Sequence, residues 1–116
     1  MKSENTVKAE IARFLAKHGW RRYRNHVGKI VSEDEKERVV GTPGWPDDTY
    51  RRPTETRGLV EILHVEAKAE GKRPTGEHGK RQLEKIASLN HIGEPATWAN
   101  SLGMFELWYW TQGFRP

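Results

Sequence analysis

The sequence has 116 residues, a length typical of one compact domain, which we take to span residues 1–116. The net charge of +4 and the charged fraction of 31% favour a solvated, basic surface of the kind that often binds nucleic acid. The absence of cysteine excludes disulfides, cysteine-type zinc sites and thiol catalysis. The sequence shows neither an apolar run of the roughly 18–20 residues that cross a membrane nor the apolar region of a signal peptide, so we expect a cytoplasmic protein with no membrane partner.

The first predicted element is a helix from about Asn5 to His18, because apolar residues recur there at helical spacing. Ser3 or Asn5 can cap the start of this helix, and Gly19 suits its end. Glu10 lies at the edge of the inward stripe. Two interpretations of Glu10 stay open at this point: a solvated flank residue, or a carboxylate near an active site.

The segment from Trp20 to Val31 is predicted to be extended, and it concentrates positive charge beside two aromatic residues. Such a stripe can bind phosphates, although a solvated strand face has the same pattern. The charged run Ser32–Arg38 predicts an exposed loop or hairpin tip. Gly41–Asp48 predicts turns that lead into a short strand, and Arg51–Arg57 predicts a polar connection. The arginines of the stripe that we expect to contact phosphate are Arg21, Arg22 and Arg24.

The stretch Gly58–Ala69 predicts the strand around which the fold is organised, because Val, Ile and Leu are dense in it. Side chains on a strand alternate between its two faces. A carboxylate and an ammonium two positions apart, Glu66 and Lys68, therefore point to one place. The apolar face holds Leu59, Leu63, Val65, Ala67 and Ala69, with Glu61 as an exception, and the opposite face holds Ile62, His64, Glu66 and Lys68.

A second helix is predicted from about Gly79 to His91, with Gln82 at its inward edge. Two further strands, Pro95–Ala99 and Met104–Trp110, are predicted beyond it. For the aromatic run of the last strand, packing in a core or between subunits is favoured over base stacking. This order of elements predicts an α/β fold with a central mixed β-sheet flanked by α-helices.

Asp47, Glu66 and Lys68 form the candidate reaction centre. Mg²⁺ and Mn²⁺ favour oxygen ligands, and one or two carboxylates with phosphate oxygens and waters complete an octahedron. Asp47 and Glu66 can supply the carboxylates, and the backbone carbonyl of Ala67 can supply a third ligand. Lys68 can position the attacking water and stabilise charge in the transition state. An ordinary salt-paired strand face is the alternative, because Glu-x-Lys triplets are common. His64 and His78 flank this centre, where packed or hydrogen-bonded histidines are more common than metal ligands.

Four features occur in a fixed order along the chain: Gly44-Trp45-Pro46-Asp47, then Val65-Glu66-Ala67-Lys68 at the end of a hydrophobic strand, then Gln82 on a helix, then Gly93 in a turn before a strand. This order resembles the PD-(D/E)xK nuclease superfamily, and more closely its VRR-NUC family, the virus-type replication-repair nucleases. The helix bearing Glu10, followed by Gly19-Trp20-Arg21-Arg22, is also similar to the opening of that family. The resemblance covers most of the chain, roughly Glu10 to Trp110.

The resemblance implies a restriction-endonuclease-like core and a metal-dependent DNA endonuclease. In that family's pattern, Asp47, Glu66 and the carbonyl of Ala67 would bind Mg²⁺ or Mn²⁺. Gln82 would orient the water or the catalytic lysine. The residues to which the resemblance assigns a catalytic part are Asp47, Glu66, Lys68, Gln82 and, as a supporting carboxylate, Glu10.

Small stand-alone members of the family are similar to resolvases, which form homodimers and cut branched DNA such as four-way (Holliday) junctions. The resemblance therefore implies branched DNA and a second copy of the chain as partners, in the cytoplasm of a bacterial or phage-infected cell. Two other functions stay open: a non-catalytic nucleic-acid-binding module on the same fold, and an interaction protein that assembles through its aromatic C-terminal segment. Basic residues around the predicted cleft that would contact phosphate, unless they are simply solvated, are Lys72, Arg73, Lys80 and Arg81.

Overall fold

The computed structural model describes residues 1–24, 28–31, 37–40 and 44–116, the second and third of these ranges by their backbone alone. In this part of the chain, five strands follow the first helix, and a second helix, a sixth strand and a third helix come after them. In chain order they are α1 (Glu4–Lys17), β1 (Arg21–Arg24), β2 (Gly28–Val31), β3 (Glu37–Val40), β4 (Asp48–Pro53), β5 (Val60–Ala67), α2 (Gly76–His91), β6 (Ala96–Ala99) and α3 (Leu102–Thr111).

Four of the strands form a mixed sheet in the order β1-β4-β5-β6. The β1–β4 and β4–β5 pairs are antiparallel, whereas β5 and β6 are parallel and are joined through α2. The predicted α/β class and the mixed sheet flanked by helices are therefore confirmed. Strands β2 and β3 form a separate antiparallel pair. Three parts of the predicted segments lie outside the described residues: 25–27 of the extended segment Trp20–Val31, 32–36 of the tip Ser32–Arg38, and 41–43 of the turns Gly41–Asp48. Glu37 and Arg38, predicted as part of the tip, belong to β3.

Helix α1 begins and ends within one residue of its predicted bounds. The Ser3 side chain accepts a hydrogen bond from the Thr6 backbone N–H at 3.2 Å, which satisfies one of the unpaired donors of the first turn. Gly19 follows the helix with φ of 84°, a left-handed conformation that glycine adopts without strain. Helix α2 begins at Gly76, three residues before its predicted start.

The alternation predicted for the organising strand is found in β5. Leu63, Val65 and Ala67 are buried on one face, in a core shared with α1 and α3. His64 and Glu66 are buried on the other face, where α2 packs against β6. The face of β5 that carries the candidate carboxylate therefore lies on the α2 side of the sheet. Residues that complete the first core include Val7, Ile11, Leu15, Tyr50, Phe105 and Tyr109.

The predicted strand at Met104–Trp110 is wrong, because these residues belong to α3. The Ser101 side chain caps this helix by accepting a hydrogen bond from the Met104 N–H at 3.0 Å. Phe105 and Tyr109 are fully buried, and residues four apart lie on one face of a helix. Both rings also contact Phe14 of α1. Aromatic residues favour strands locally, but here the burial of two rings at helical spacing decides the conformation.

The polar connection predicted for Arg51–Arg57 is also corrected, since β4 continues through Pro53. Arg52 is buried, with 6% of its surface exposed. Its Nε donates to Glu61 Oε2 at 2.7 Å, which explains why an acidic residue is tolerated on the apolar face of the organising strand. Its Nη1 donates to the His18 carbonyl at 2.9 Å and to the Arg115 carbonyl at 3.0 Å. The side chain is buried because its charge is hydrogen-bonded.

Among the residues that the structure describes, no helix combines the length and the apolar character needed to span a membrane.

Candidate active site

The segment Gly44-Trp45-Pro46 fixes the position of Asp47. Gly44 has φ of 87°, and a Cβ atom there would lie 2.8 Å from the Arg81 carbonyl oxygen, so the backbone approaches α2 as closely as glycine allows. The Trp45 ring lies 4.1 Å below the Lys85 ammonium, in cation–π geometry. Pro46 is fully buried. The loop that delivers Asp47 is therefore held against α2 at Gly44 and Trp45, and its next residue is buried.

Asp47 and Glu66 face each other across neighbouring antiparallel strands. The β4–β5 register pairs Asp48 with Val65, and continuing it by one residue places Asp47 opposite Glu66. Because side chains of directly opposed residues lie close together, the two carboxyl groups meet at the start of β4 and the end of β5. The two predicted carboxylates are thus brought together.

The hydrogen-bond phase of β5 explains how close these carboxyl groups are. The His64 and Lys68 N–H groups bond to β6, at 2.8 Å each, so the backbone of Glu66, in the same phase, also faces β6. Glu66 and Asp47 are therefore a pair without mutual backbone hydrogen bonds, the kind in which antiparallel side chains are closest. The backbone of Ala67 faces the other way, towards β4, where the opposing residue is Pro46. Since proline has no N–H, it cannot donate to the Ala67 carbonyl.

The proximity of the carboxyl groups changes the acidity of Glu66. Burial, a hydrogen bond with Asp47 and the charge of Asp47 raise the pKa of Glu66 to about 9, in that order of importance. The Lys68 ammonium acts in the opposite direction, which places its charge close to Glu66. At neutral pH the pair therefore shares a proton and carries about one negative charge. Such a pair fits a divalent cation, which would replace the proton and relieve the repulsion.

Gln82 is buried on α2, as predicted from its place on the inward stripe. Its Nε2 lies 3.2 Å from His78 Nε2, whereas its Oε1 is buried without a hydrogen-bond partner. A buried amide oxygen that is left unsatisfied costs stability, and this oxygen is able to accept a hydrogen bond from a water or a bound molecule. The close approach of Gly44 to the adjacent Arg81 puts this part of α2 beside the loop that carries Asp47.

Helix α1 contributes two charged residues that the sequence reasoning missed. Lys8 Nζ lies 3.3 Å from Asp47 Oδ2, an oxygen that otherwise makes no hydrogen bond. The negative charge of Glu4 adds to the forces that raise the pKa of Glu66. Glu4 and Lys8 are one helical turn apart and flank the buried stripe of α1 on the same side. That spacing was the signal available in the sequence.

The structure places Glu10 in an ion pair with Lys2. Glu10 lies about 160° around the helix from Lys8, on the other flank of the apolar stripe. Its Oε2 accepts a hydrogen bond from Lys2 Nζ at 2.8 Å, in an ion pair. The α1 carboxylate whose charge acts on Glu66 is that of Glu4.

His64 is a buried, hydrogen-bonded residue, the role that was favoured for it. Its Nδ1 lies 2.8 Å from Thr49 Oγ1, and its Nε2 lies 2.9 Å from Glu94 Oε1. With both ring nitrogens engaged, His64 supports the sheet beside Glu66 and has no lone pair available for a cation.

The basic residues predicted to contact phosphate fall into two groups. Arg22 is engaged within the fold, since its Nη2 donates to Asp48 Oδ2 at 2.9 Å, and this hydrogen bond raises the pKa of the guanidinium. The others have exposed side chains that are available to an anionic ligand. These are Arg21, Arg24, Lys72, Arg73, Lys80 and Arg81.

Within the described part of the chain, no group of three or more His, Cys, Asp or Glu side chains is gathered as a metal site. The carboxyl pair is a smaller set, and a hard cation bound there would take its remaining ligands from a backbone carbonyl, waters and phosphate oxygens. No protein-family model, curated protein or solved structure matches the chain.

Proposed function

We propose that this chain is a Mg²⁺- or Mn²⁺-dependent DNA endonuclease with the restriction-endonuclease-like core of the VRR-NUC family. The observation that carries the proposal is the opposed pair Asp47 and Glu66, which are close enough to raise the pKa of Glu66 to about 9, with the charge of Lys68 beside them. Two neighbouring carboxyl groups, one of which has a strongly raised pKa, are typical of sites that bind a cation. The order of the sequence motifs supports phosphodiester hydrolysis as the reaction.

Each residue of the site has a distinct task in this proposal. Asp47 and Glu66, with the Ala67 carbonyl, would hold the cation, which supplies a Lewis acid for the phosphate and a bound water of lowered pKa. Glu66 must first release its proton, so cation binding is coupled to pH. The Lys68 ammonium would stabilise the negative charge that develops on the phosphate oxygens. The unpartnered Oε1 of Gln82 would accept a hydrogen bond from the attacking water or from Lys68.

A cleavage panel tests the proposal. Synthetic duplex, flap, splayed and four-way substrates are incubated with the protein in Mg²⁺, Mn²⁺ or a chelator, and strand breaks are measured on denaturing gels. The expected result is cation-dependent incision by the parent protein, preferentially of branched DNA. Lys68→Ala should lower the single-turnover rate by about 100-fold or more, the scale seen when a transition-state charge stabiliser is removed.

Lys17→Ala is the matched control, because Lys17 is an exposed lysine in the last turn of α1 and has no part in the candidate site. It should retain cleavage within a few-fold. Equal cleavage by the parent and by Lys68→Ala would overturn the proposal. Salt-sensitive DNA binding without incision in any divalent cation would instead assign the chain to the non-catalytic nucleic-acid-binding modules.

The same proposal includes a homodimer acting on branched DNA in the cytoplasm. Two active sites related by a two-fold axis would cut two strands of a symmetric junction, which is the usual reason for such an assembly. Light scattering on the purified protein should give twice the mass of one chain. A monomer that still makes paired cuts would contradict this part of the proposal.

A further inference from the structure

A basic and aromatic surface lies on the edge of the sheet next to the carboxyl pair. The β1–β4 ladder pairs Arg21 with Arg51 and Tyr23 with Thr49, so the side chains of Arg21, Tyr23 and Arg51 share one face of the sheet. All three are exposed, and Tyr23 keeps 42% of its surface accessible. We call these three residues the Tyr23 surface.

The Tyr23 surface is on the same face of the sheet as Glu66. Thr49, opposite Tyr23 in β1, is also opposite His64 in β5, and its Oγ1 contacts the His64 ring at 2.8 Å. His64 and Glu66 are two residues apart on one strand and therefore point the same way. The row of residues that contains Tyr23 is thus adjacent, on one face, to the row that contains Asp47 and Glu66.

The separation between the two rows matches the size of a nucleotide. Two residues along a strand span about 7 Å, and neighbouring strands are about 5 Å apart, so the Cα atoms of Tyr23 and Asp47 are about 8–9 Å apart. A base that lies against the Tyr23 ring would have its own phosphate, or the next one, at the carboxyl pair. A phosphodiester at that position is the group that the proposed reaction cleaves.

The ring of Tyr23 is prepared for stacking. The Arg51 guanidinium carbon lies 5.2 Å from the ring centroid, which is cation–π distance, and this contact supports one side of the ring. Arg21, across the ladder from Arg51, adds a second positive charge with no counter-charge on the strand, since the sequence of β1 is Arg21-Arg22-Tyr23-Arg24. An aromatic platform with flanking arginines is the arrangement that proteins use to bind unpaired bases.

We propose that the Tyr23 surface is a binding site for an unpaired nucleotide, with the base stacked on Tyr23 and its phosphates held by Arg21 and Arg51. The inference rests on the proposed nuclease function and deepens it. Bases inside a duplex are stacked on both sides and cannot reach the ring, so the site selects DNA in which a base is unpaired next to the scissile phosphate. Selectivity for DNA structure then comes from β1, and not only from the dimer.

Binding in the absence of divalent cation tests this inference separately from cleavage. Fluorescence anisotropy measures the affinity of the parent, Tyr23→Ala and Tyr23→Phe for a labelled single strand and for a blunt duplex, in EDTA. Tyr23→Ala should weaken single-strand binding by about 10-fold or more, the scale of one lost base–aromatic stack. Tyr23→Phe, which keeps the ring, should bind like the parent, and duplex binding should change less than 2-fold in both variants.

A salt titration separates stacking from charge. The slope of log affinity against log salt concentration reflects the number of phosphate charges that the protein neutralises. Arg51→Gln should reduce the magnitude of this slope by about one, whereas Tyr23→Ala should leave it unchanged. Because Tyr23 is exposed, its variants should melt within a few degrees of the parent, and the melting curves verify that they are folded.

The outcomes distinguish the two proposals. If the parent binds single strands and Tyr23→Ala binds them equally well, the stacking site is overturned while the nuclease assignment stands. If binding depends on Tyr23 but no cation supports incision, the nuclease assignment is overturned while the stacking site stands. If the parent binds no oligonucleotide at moderate salt, both are overturned.

Discussion

At the scale of single residues, the burial of Glu66 lowers stability but suits a role in cation binding. It is 3% exposed, faces a second carboxyl group, and has a pKa of about 9. Burying two neighbouring acids costs free energy that apolar residues at the same positions would not cost. We interpret the pair Asp47 and Glu66 as a site that is completed by a cation, and this interpretation has a measurable consequence for folding.

Glu66→Gln should stabilise the protein at alkaline pH when no divalent cation is present. A raised pKa in the folded state means that the folded chain binds the proton more tightly than the unfolded chain does. The associated stability is present below the unfolded pKa of about 4.5 and is lost as pH rises towards about 9. Glutamine has no proton to lose, so the variant should gain about 1–3 kcal/mol over the parent at pH 8 and little at pH 5.

Thermal unfolding in EDTA at the two pH values measures this difference. Glu55→Gln is the control, because Glu55 is an exposed acid that makes an ion pair with Arg115 at the surface. Adding Mg²⁺ should raise the melting temperature of the parent at pH 8 but not that of Glu66→Gln. A parent protein whose stability relative to Glu66→Gln is the same at pH 5 and pH 8 would contradict the shared proton.

At the scale of elements, the loop before β4 sets the position of Asp47. Gly44 touches the α2 backbone at Arg81, Trp45 lies under Lys85, and Pro46 is buried. Pro46 also withholds an N–H from the Ala67 carbonyl, which leaves that oxygen without a ladder donor from β4. Gly44 therefore allows the close approach of the loop to α2, and Pro46 leaves the Ala67 carbonyl without an N–H opposite it.

Gly44→Ala should lower both stability and cleavage. Its Cβ atom would lie 2.8 Å from the Arg81 carbonyl oxygen, and its φ of 87° is unfavourable for alanine. The expected loss is about 2–4 kcal/mol, because the backbone must move as well as accept strain. Since this movement displaces Asp47, the cleavage rate should fall about 10-fold or more relative to the parent, measured at a temperature where the variant is folded.

Gly58→Ala is the control for the strain alone. Gly58 has φ of 86°, and a Cβ atom there would meet nothing within 4 Å. Its cost should be about 1–2 kcal/mol with an unchanged cleavage rate. Urea unfolding and single-turnover cleavage measure the two effects, and equal losses in the two glycine variants would show that the contact with α2 does not position Asp47.

At the scale of the whole molecule, Arg52 joins parts of the chain that are far apart in sequence. Its guanidinium bonds to Glu61 of β5, to the carbonyl after α1 at His18 and to the carbonyl of Arg115 near the C-terminus. It also lies 4.7 Å from the Trp20 ring centroid. The buried Arg52 guanidinium therefore links these segments at the end of β4 that is opposite to Asp47.

Arg52→Met should destabilise the fold by about 3–5 kcal/mol, because the substitution leaves the Glu61 carboxylate and the His18 carbonyl without their donor and removes one of the two donors to the Arg115 carbonyl. Arg51→Met, at the exposed neighbouring position, should change stability by no more than about 0.5 kcal/mol. Chemical denaturation of both variants measures the difference. Similar midpoints for the two would show that the Arg52 hydrogen bonds add nothing to folding.

The sequence patterns predicted those parts of the fold where local chemistry and burial agree. The alternation in β5 and the stripe of α1 are of this kind, and each placed its buried residues on the correct face. The strand predicted at Met104–Trp110 failed because aromatic preference is local, whereas the helix is fixed by Phe105 and Tyr109 packing against α1. Arg52 was missed because its partners are distant in sequence.

The candidate site was predicted to a similar extent. Asp47 and Glu66 were identified by residue type, but their opposition depends on the β4–β5 register, which is set by the connection between those strands. The position of Glu10 beside the apolar stripe left a solvated residue and a site carboxylate both open, and the family resemblance favoured the second. Two flanks border such a stripe, and only packing shows that Glu4 and Lys8 are on the side of the site.

The contact between Lys8 and Asp47, at 3.3 Å, has a consequence for the resting protein. The Lys8 ammonium lies beside Asp47, and Glu66 holds a proton, so the negative charge of the pair is already neutralised when no divalent cation is bound. We therefore expect the chain to fold and to be stored intact in strong chelators, with the same circular dichroism spectrum as in magnesium. Ion supply would then govern when the protein works, while its shape would stay independent of that supply.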